Sequence, residues 1–198
     1  MKNNHTSTLN KRRPFIKVCG LTYAGSVDCA AAYGADYVGF NFCRGNARYV
    51  SPAHAASMPT AQVKRVGVFN SGDVLEICRA MKQAGLHLAE LQGTCSLETA
   101  RRIGRQRVIR TLAPGQGCTP QQLQREVDIW ASSCCAFLVE CADAPLLSAV
   151  EFPLPWILSG GPETAVLLKK LGTCRPDGVN IESRVGCPET MAAMRAVC

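Results

Sequence analysis

The chain has 198 residues, 47% of them hydrophobic and 19% charged, with 17 Gly and 11 Pro. That apolar share supports one sizeable core and argues against disorder, and no apolar run approaches the roughly 18 residues of a membrane-spanning helix. The formal net charge of +7 is no nucleic-acid signal: Lys2, Lys11, Arg12 and Arg13 crowd into the first 14 residues, and +3 remains without them.

Residues 1–14 (MKNNHTSTLNKRRP) read as a short basic flexible tail ahead of a single domain over 15–198. The tail lacks the apolar stretch of a signal peptide, so the cytoplasm is the expected compartment. Neither nucleic acid nor a membrane is an expected partner. After the tail the sequence alternates between two textures. Short β-rich runs fall at Phe15–Cys19, Asp36–Phe42, Val63–Asn70, Leu86–Gln92, Arg107–Leu112, Cys134–Glu140, Pro155–Ser159 and Asp177–Glu182. Between them lie segments with helical start signals. Ser51-Pro52, Thr119-Pro120, Gly161-Pro162 and Cys187-Pro188 suit proline at the first helical position, while Asp73 and Ser96 suit N-caps. Ala24–Tyr33 is Ala-rich and reads as the first helix, and residues 141–154 leave room for only a couple of turns.

Strand–helix alternation predicts a parallel sheet with right-handed crossovers. Eight βα units predict a compact α/β fold, a single (β/α)8 TIM barrel; a doubly wound open sheet is the alternative. At about 25 residues per unit the loops must be minimal.

Twelve cysteines make about 6% of the chain, below the roughly 8–10% of a disulfide scaffold. No C-x-x-C occurs, and His5, His54 and His87 do not pair with cysteines at zinc-finger spacing. No metal or organic cofactor is expected, and most thiols read as small buried groups in a reducing compartment.

In a barrel, chemistry sits at the C-terminal ends of the strands, where alternate side chains share a face. Parity groups Phe15, Lys17 and Cys19 in the first run, Glu90 and Gln92 in the fourth, Arg110 in the fifth, Leu138 and Glu140 in the sixth, and Asn180 and Glu182 in the eighth. Ile16, Val18, Leu91, Ile109, Val139 and Ile181 fall on the opposite, helix-facing side. The polar set reads equally as the rim of a site or as a ring of ion pairs such as Lys17 with Glu90 or Glu182.

Seven elements in register narrow the choice. Lys17-Val18-Cys19-Gly20-Leu21-Thr22 resembles the K-[IV]-C-G-[LI]-T signature of the phosphoribosylanthranilate isomerase family. Ala47-Arg48-Tyr49-Val50-Ser51 is similar to its S-x-R-x-[VI]-[ST] element, and Glu90-Leu91-Gln92-Gly93 to its Q-L-H-G. Gly34–Phe40 and Val63–Phe69 match its second and third strands. Ile157–Gly161 is similar to I-L-A-G-G, and Pro176–Ile181 to P-x-G-V-D-[VI].

The resemblance implies a cofactor-free Amadori isomerase of tryptophan biosynthesis, acting on a small phosphorylated substrate as a monomer or homodimer. It implies Cys19 as general base and Glu140 as general acid, with Arg48, Gln92 and Lys17 as substrate-binding residues. Gly160, Gly161, Ser183 and Arg184 would bind the phosphate, as backbone N–H groups beside a helix start favour an anion.

Four departures stand out. The family's sixth-strand L-L-D-[ST] reads Leu138-Val139-Glu140-Cys141, one methylene longer at the carboxyl. The G-G-T-G-K-x-F loop that follows is missing from residues 141–152. S-S-G-[VI]-E reads Glu182-Ser183-Arg184-Val185-Gly186, and Gln92 replaces His. A catalytically weakened or silent homologue that binds a small phosphorylated or acidic ligand or a protein partner is therefore the alternative expectation.

Overall fold

The computed structural model describes residues 13–58, 63–70, 73–160 and 164–182. Eight parallel strands close on themselves in sequence order. They are β1 (Phe15–Cys19), β2 (Tyr37–Asn41), β3 (Lys64–Phe69), β4 (Leu88–Leu91), β5 (Val108–Leu112), β6 (Ala136–Glu140), β7 (Trp156–Gly160) and β8 (Gly178–Glu182). Each lies within two residues of its predicted run, and closure excludes the open sheet. Five registered pairs from Phe15↔Gly178 to Cys19↔Glu182 join the first strand to the last.

The helices α1 (Ala24–Ala32), α2 (Pro52–Ser57), α3 (Val74–Gln83), α4 (Leu97–Ile103), α5 (Pro120–Trp130), α6 (Ala144–Ser148) and α7 (Thr164–Lys170) fill the crossovers, and a 3-10 turn at Arg105–Arg107 precedes β5. Their starts follow local chemistry. The Ser51 hydroxyl accepts from the His54 N–H, Asp73 from Leu75 and Glu76, and Ser96 from Thr99. Thr119 and Gln122 exchange the two hydrogen bonds of a capping box. Asp143 caps the five-residue α6, so only residues 141–143 separate β6 from the next helix. The predicted start at Gly161-Pro162 and that at Cys187-Pro188 lie outside the described residues.

Two apolar layers result. Between strands and helices pack Ile16, Val18, Leu91, Val139, Ile181 and their neighbours. Inside the barrel, Val66, Ile109, Ala136, Leu138 and Ile157, with Phe15, Tyr37 and Leu88 against them, form a plug. Arg13 closes the first strand from below, donating twice to the Asp36 carboxylate at 3.1 Å. Residues 1–12 of the expected tail lie outside the described residues. No helix among the described residues is long and apolar enough to cross a membrane.

Candidate active site

The strands bring their C-terminal ends to one mouth, and register fixes which side chains meet there. Cys19 pairs in register with Gly39 and with Glu182, Glu140 with Ser159, and Ser159 with Asn180. Gly39 is required beside Cys19, because a Cβ there would stand 2.8 Å from the sulfur. The N–H groups of Gly20 and Leu21 both donate to the Gly39 carbonyl, at 3.0 and 3.2 Å, which ties the end of β1 down.

Below the mouth lies a buried polar network. The Lys17 ammonium, 1% exposed, stands 2.9 Å from Glu90 Oε2 and donates to Asn180 Oδ1 at 2.7 Å. Glu90, 2% exposed, also accepts from Gln92 Nε2 at 2.9 Å and from Thr111 Oγ1 at 3.1 Å. Asn180 Nδ2 in turn donates to Ser159 Oγ at 2.9 Å. Lys17 is thus committed beneath the site. Lys17, an expected substrate-binding residue, has its ammonium paired with Glu90 there.

Electrostatics follow from this packing. Burial alone would lower the Lys17 pKa, but Cys19 and Glu90 hold the ammonium and the net shift is upward. Burial pushes the Cys19 thiol up; Lys17, which hydrogen-bonds the sulfur, pulls it back, and Glu90 and Glu182 push it further up. Cys19 is half-buried at the floor of the mouth.

Glu140 stands at the rim, open to solvent at its outer edge. Its pKa is raised by partial burial, then by Glu90 and Glu182, with Lys17 opposing. The same neighbours act on Cys19 and Glu140, which puts thiol and carboxyl at one mouth.

Across from them Arg48 Nη1 lies 3.5 Å from Glu182 Oε2, so the Glu182 charge has a partner. Arg48 folds over Gly20, whose φ of +82° and missing Cβ make that approach possible. Gly160 ends β7 at the same rim, against the Thr164 hydroxyl. Gly161, Ser183 and Arg184 lie outside the described residues.

One strand departs from the parity reading. Ile109 faces the barrel interior and Arg110 the helices, the reverse of the expectation. In register Glu90 pairs with Ile109 and Leu91 with Arg110, so Arg110 shares the outward side of Leu91. Its guanidinium lies 4.2 Å from the Trp130 ring centroid and donates to Glu126 at 3.2 Å. A long arginine covers apolar helix surface and still reaches a charge, which hides its orientation from a polarity count. Thr111 is the inward residue that the reading missed, and a strand-to-strand register was the signal needed to find it.

A separate cavity of about 350 Å³ opens between the β2–α2 connection and α3, lined by Phe42, Arg44, Tyr49, Phe69, Ile77 and Arg79 among others. None of the mouth residues lines it. Among the described residues no group of three or more His, Cys, Asp or Glu is placed to hold a metal ion.

The sequence matches the family model of N-(5'-phosphoribosyl)anthranilate (PRA) isomerase over residues 16–132. A relative of that name from Desulfovibrio desulfuricans is 39% identical over 180 residues, which cover 86% of this chain and 85% of the relative. Among solved structures, the phosphoribosyl anthranilate isomerase of Thermus thermophilus superposes with a TM-score of 0.69 at 27% identity, covering 92% of this chain and 96% of that one. A phosphoribosyl anthranilate isomerase solved with reduced 1-(o-carboxyphenylamino)-1-deoxyribulose 5-phosphate shares the fold, with a TM-score of 0.73 at 24% identity over 93% of this chain and 96% of that one.

Proposed function

The chain belongs to the N-(5'-phosphoribosyl)anthranilate isomerase family, and on that premise we propose that it carries out the Amadori rearrangement of N-(5'-phosphoribosyl)anthranilate in tryptophan biosynthesis. The observation that supports the residue roles is that Cys19 and Glu140 share the neighbours Lys17, Glu90 and Glu182 at one mouth, with the Glu140 carboxyl shifted upward. Glu140 gives its proton to the furanose ring oxygen as the C1–O bond breaks, and the anthranilate nitrogen lone pair closes a C1=N iminium. Cys19 as thiolate takes the C2 proton. The electron pair of that C–H bond moves into C1–C2 and neutralises the iminium, and the resulting enol tautomerises to the ketone.

Each role has physical support. A carboxyl whose pKa lies above the ordinary glutamate range keeps its proton nearer neutrality, as a general acid must. Burial disfavours the Cys19 thiolate, and the Lys17 hydrogen bond favours it. An iminium one bond from the departing proton adds a second cation beside it. Arg48 at the rim presents a guanidinium suited to the anthranilate carboxylate, to which it would turn from Glu182. Gln92, anchored on Glu90, keeps an amide oxygen for a sugar hydroxyl. Gly160 and Gly161, with Ser183 and Arg184, are the phosphate end of the same proposal. Ten described cysteines are free thiols, in keeping with a reducing cytoplasm.

The test is turnover of the phosphoribosylanthranilate by purified protein, together with growth of a tryptophan auxotroph that lacks this isomerase. Failure of both, with no recovery in Glu140→Asp, would leave ligand binding without catalysis as the function.

A further inference from the structure

Lys17 is a cation sealed beneath the mouth, and such a charge demands a carboxylate within contact distance. Three strands approach it. β8 offers Asn180, which is neutral, and β1 offers the Cys19 sulfur, which is a thiol until it ionises. Glu90 of β4 is the carboxylate at salt-bridge distance. Glu182 and Glu140 lie higher, at the rim, and Glu182 is taken by Arg48. The motifs that these strands resemble carry Gln at position 90 and Asp at position 180. Here the two are exchanged in kind: the acid stands on β4 and the amide on β8.

We propose that Glu90 and Asn180 form a coupled charge exchange, in which Glu90 is the positioning residue that fixes Lys17 and through it sets the ionisation of Cys19. The proposal rests on the reading of Cys19 as the base. Glu90 is held for this task on both oxygens, by Lys17 on one and by Gln92 and Thr111 on the other. Asn180 completes it as a neutral bridge, accepting from Lys17 and donating to Ser159.

The exchange also accounts for Glu182. Positions 180 and 182 share a face of β8, so an Asp at 180 would put two carboxylates on the strand end that adjoins the proposed phosphate cradle. Moving the buried acid to β4 leaves only Glu182 there, and Arg48 pairs with it. It also explains Gln92. A histidine in hydrogen-bond contact with a buried carboxylate would be drawn toward its protonated form, adding a second cation to the floor. An amide makes the same contact without charge.

The consequence for Cys19 has a sign. With Glu90 in place, the Lys17 ammonium is neutralised and the thiol keeps its proton. Without Glu90, the thiolate becomes the nearest counter-ion to Lys17, and the Cys19 pKa falls. With carboxylates at both 90 and 180, it rises.

The experiment follows iodoacetamide labelling of Cys19 against pH, read site by site by mass spectrometry in the full chain. Glu90→Gln should move the Cys19 midpoint down by about one unit or more, roughly a tenfold gain in thiolate at neutral pH. Asn180→Asp should move it up. The double variant Glu90→Gln/Asn180→Asp should return it to the wild-type position. If Glu90→Gln fails to fold, the Asn180→Asp shift and its reversal in the double variant carry the test alone. Labelling of Cys134, fully buried just before β6 and so at the end of that strand opposite to Glu140, checks that each variant stays folded. An unmoved midpoint in Asn180→Asp, or a double variant that does not revert, overturns the proposal. The readout needs no turnover, so loss of isomerase activity in every protein would refute the functional reading and leave this result standing.

Discussion

Glu140 and Cys19 differ in how their surroundings fit them to move protons. The Glu140 carboxyl is driven up by partial burial and by two neighbouring acids, so its charged form is disfavoured in the folded protein. The linkage has a definite direction. Its contribution to stability is fully present below the ordinary glutamate pKa and is lost as pH rises through the raised one. Glu140→Gln should therefore gain in Tm relative to wild type as pH rises above the ordinary glutamate range, as followed by thermal melts from acid to neutral pH. The same change should lower kcat by about 10²–10⁴-fold, the usual share of a general acid. Glu140→Asp, which retains the carboxyl, should keep activity or raise it. A Tm difference independent of pH would deny the raised carboxyl. Gly39 tests the thiol by geometry alone: the Cβ of Gly39→Ala would stand 2.8 Å from the Cys19 sulfur and 3.2 Å from its Cα. The sulfur must move, and a displacement of about 1 Å can cost on the order of a hundredfold in rate. The expected result is a fall in kcat/KM far larger than the change in Tm.

Elements were legible in the sequence where one residue type carries the signal alone. Ser51, Asp73, Ser96 and Thr119 each cap the helix that they announce, because a short oxygen side chain ahead of a helix satisfies free N–H groups whatever the tertiary context. Thr119→Ala should remove one side of the α5 capping box and cost about 0.5–2 kcal/mol in urea unfolding, with kcat unchanged. A loss below that range would mean that α5 is held mainly by Leu123, Val127 and Trp130 in the core. The orientation of β5 was not legible. Arg110 looks like a mouth residue by polarity, and only its register with Leu91 shows that it lies against the helices. The candidate site divides in the same way. Lys17, Cys19, Glu90 and Glu140 are readable by strand parity, but whether Lys17 pairs with Glu90 or Glu182 depends on how deep each acid sits. The Arg48–Glu182 contact spans 134 residues of sequence and emerges only when the barrel closes.

Closure is the property of the whole molecule on which every one of these contacts depends. Glu182 reaches Arg48, and Asn180 reaches Lys17, only because β8 lies alongside β1. That seam starts at Phe15↔Gly178, where the Phe15 ring occupies the space that a Cβ on residue 178 would need. The contact is with carbons of the Phe15 ring, which packs partly buried against the apolar plug and must shift to admit a Cβ. Gly178→Ala should therefore strain the seam, with an overpacking cost of about 1–3 kcal/mol in urea unfolding. Because the strain falls at the junction of the first and last strands, its effect should reach the mouth. The Lys17–Asn180 and Cys19–Glu182 pairs lie two and four residues along the same ladder. Urea titration would report the stability loss, and Cys19 alkylation in native buffer would report loosening of the floor by an increased rate. Lost stability without faster Cys19 labelling would mean that the buried Lys17–Glu90 pair holds the floor on its own, independently of the seam.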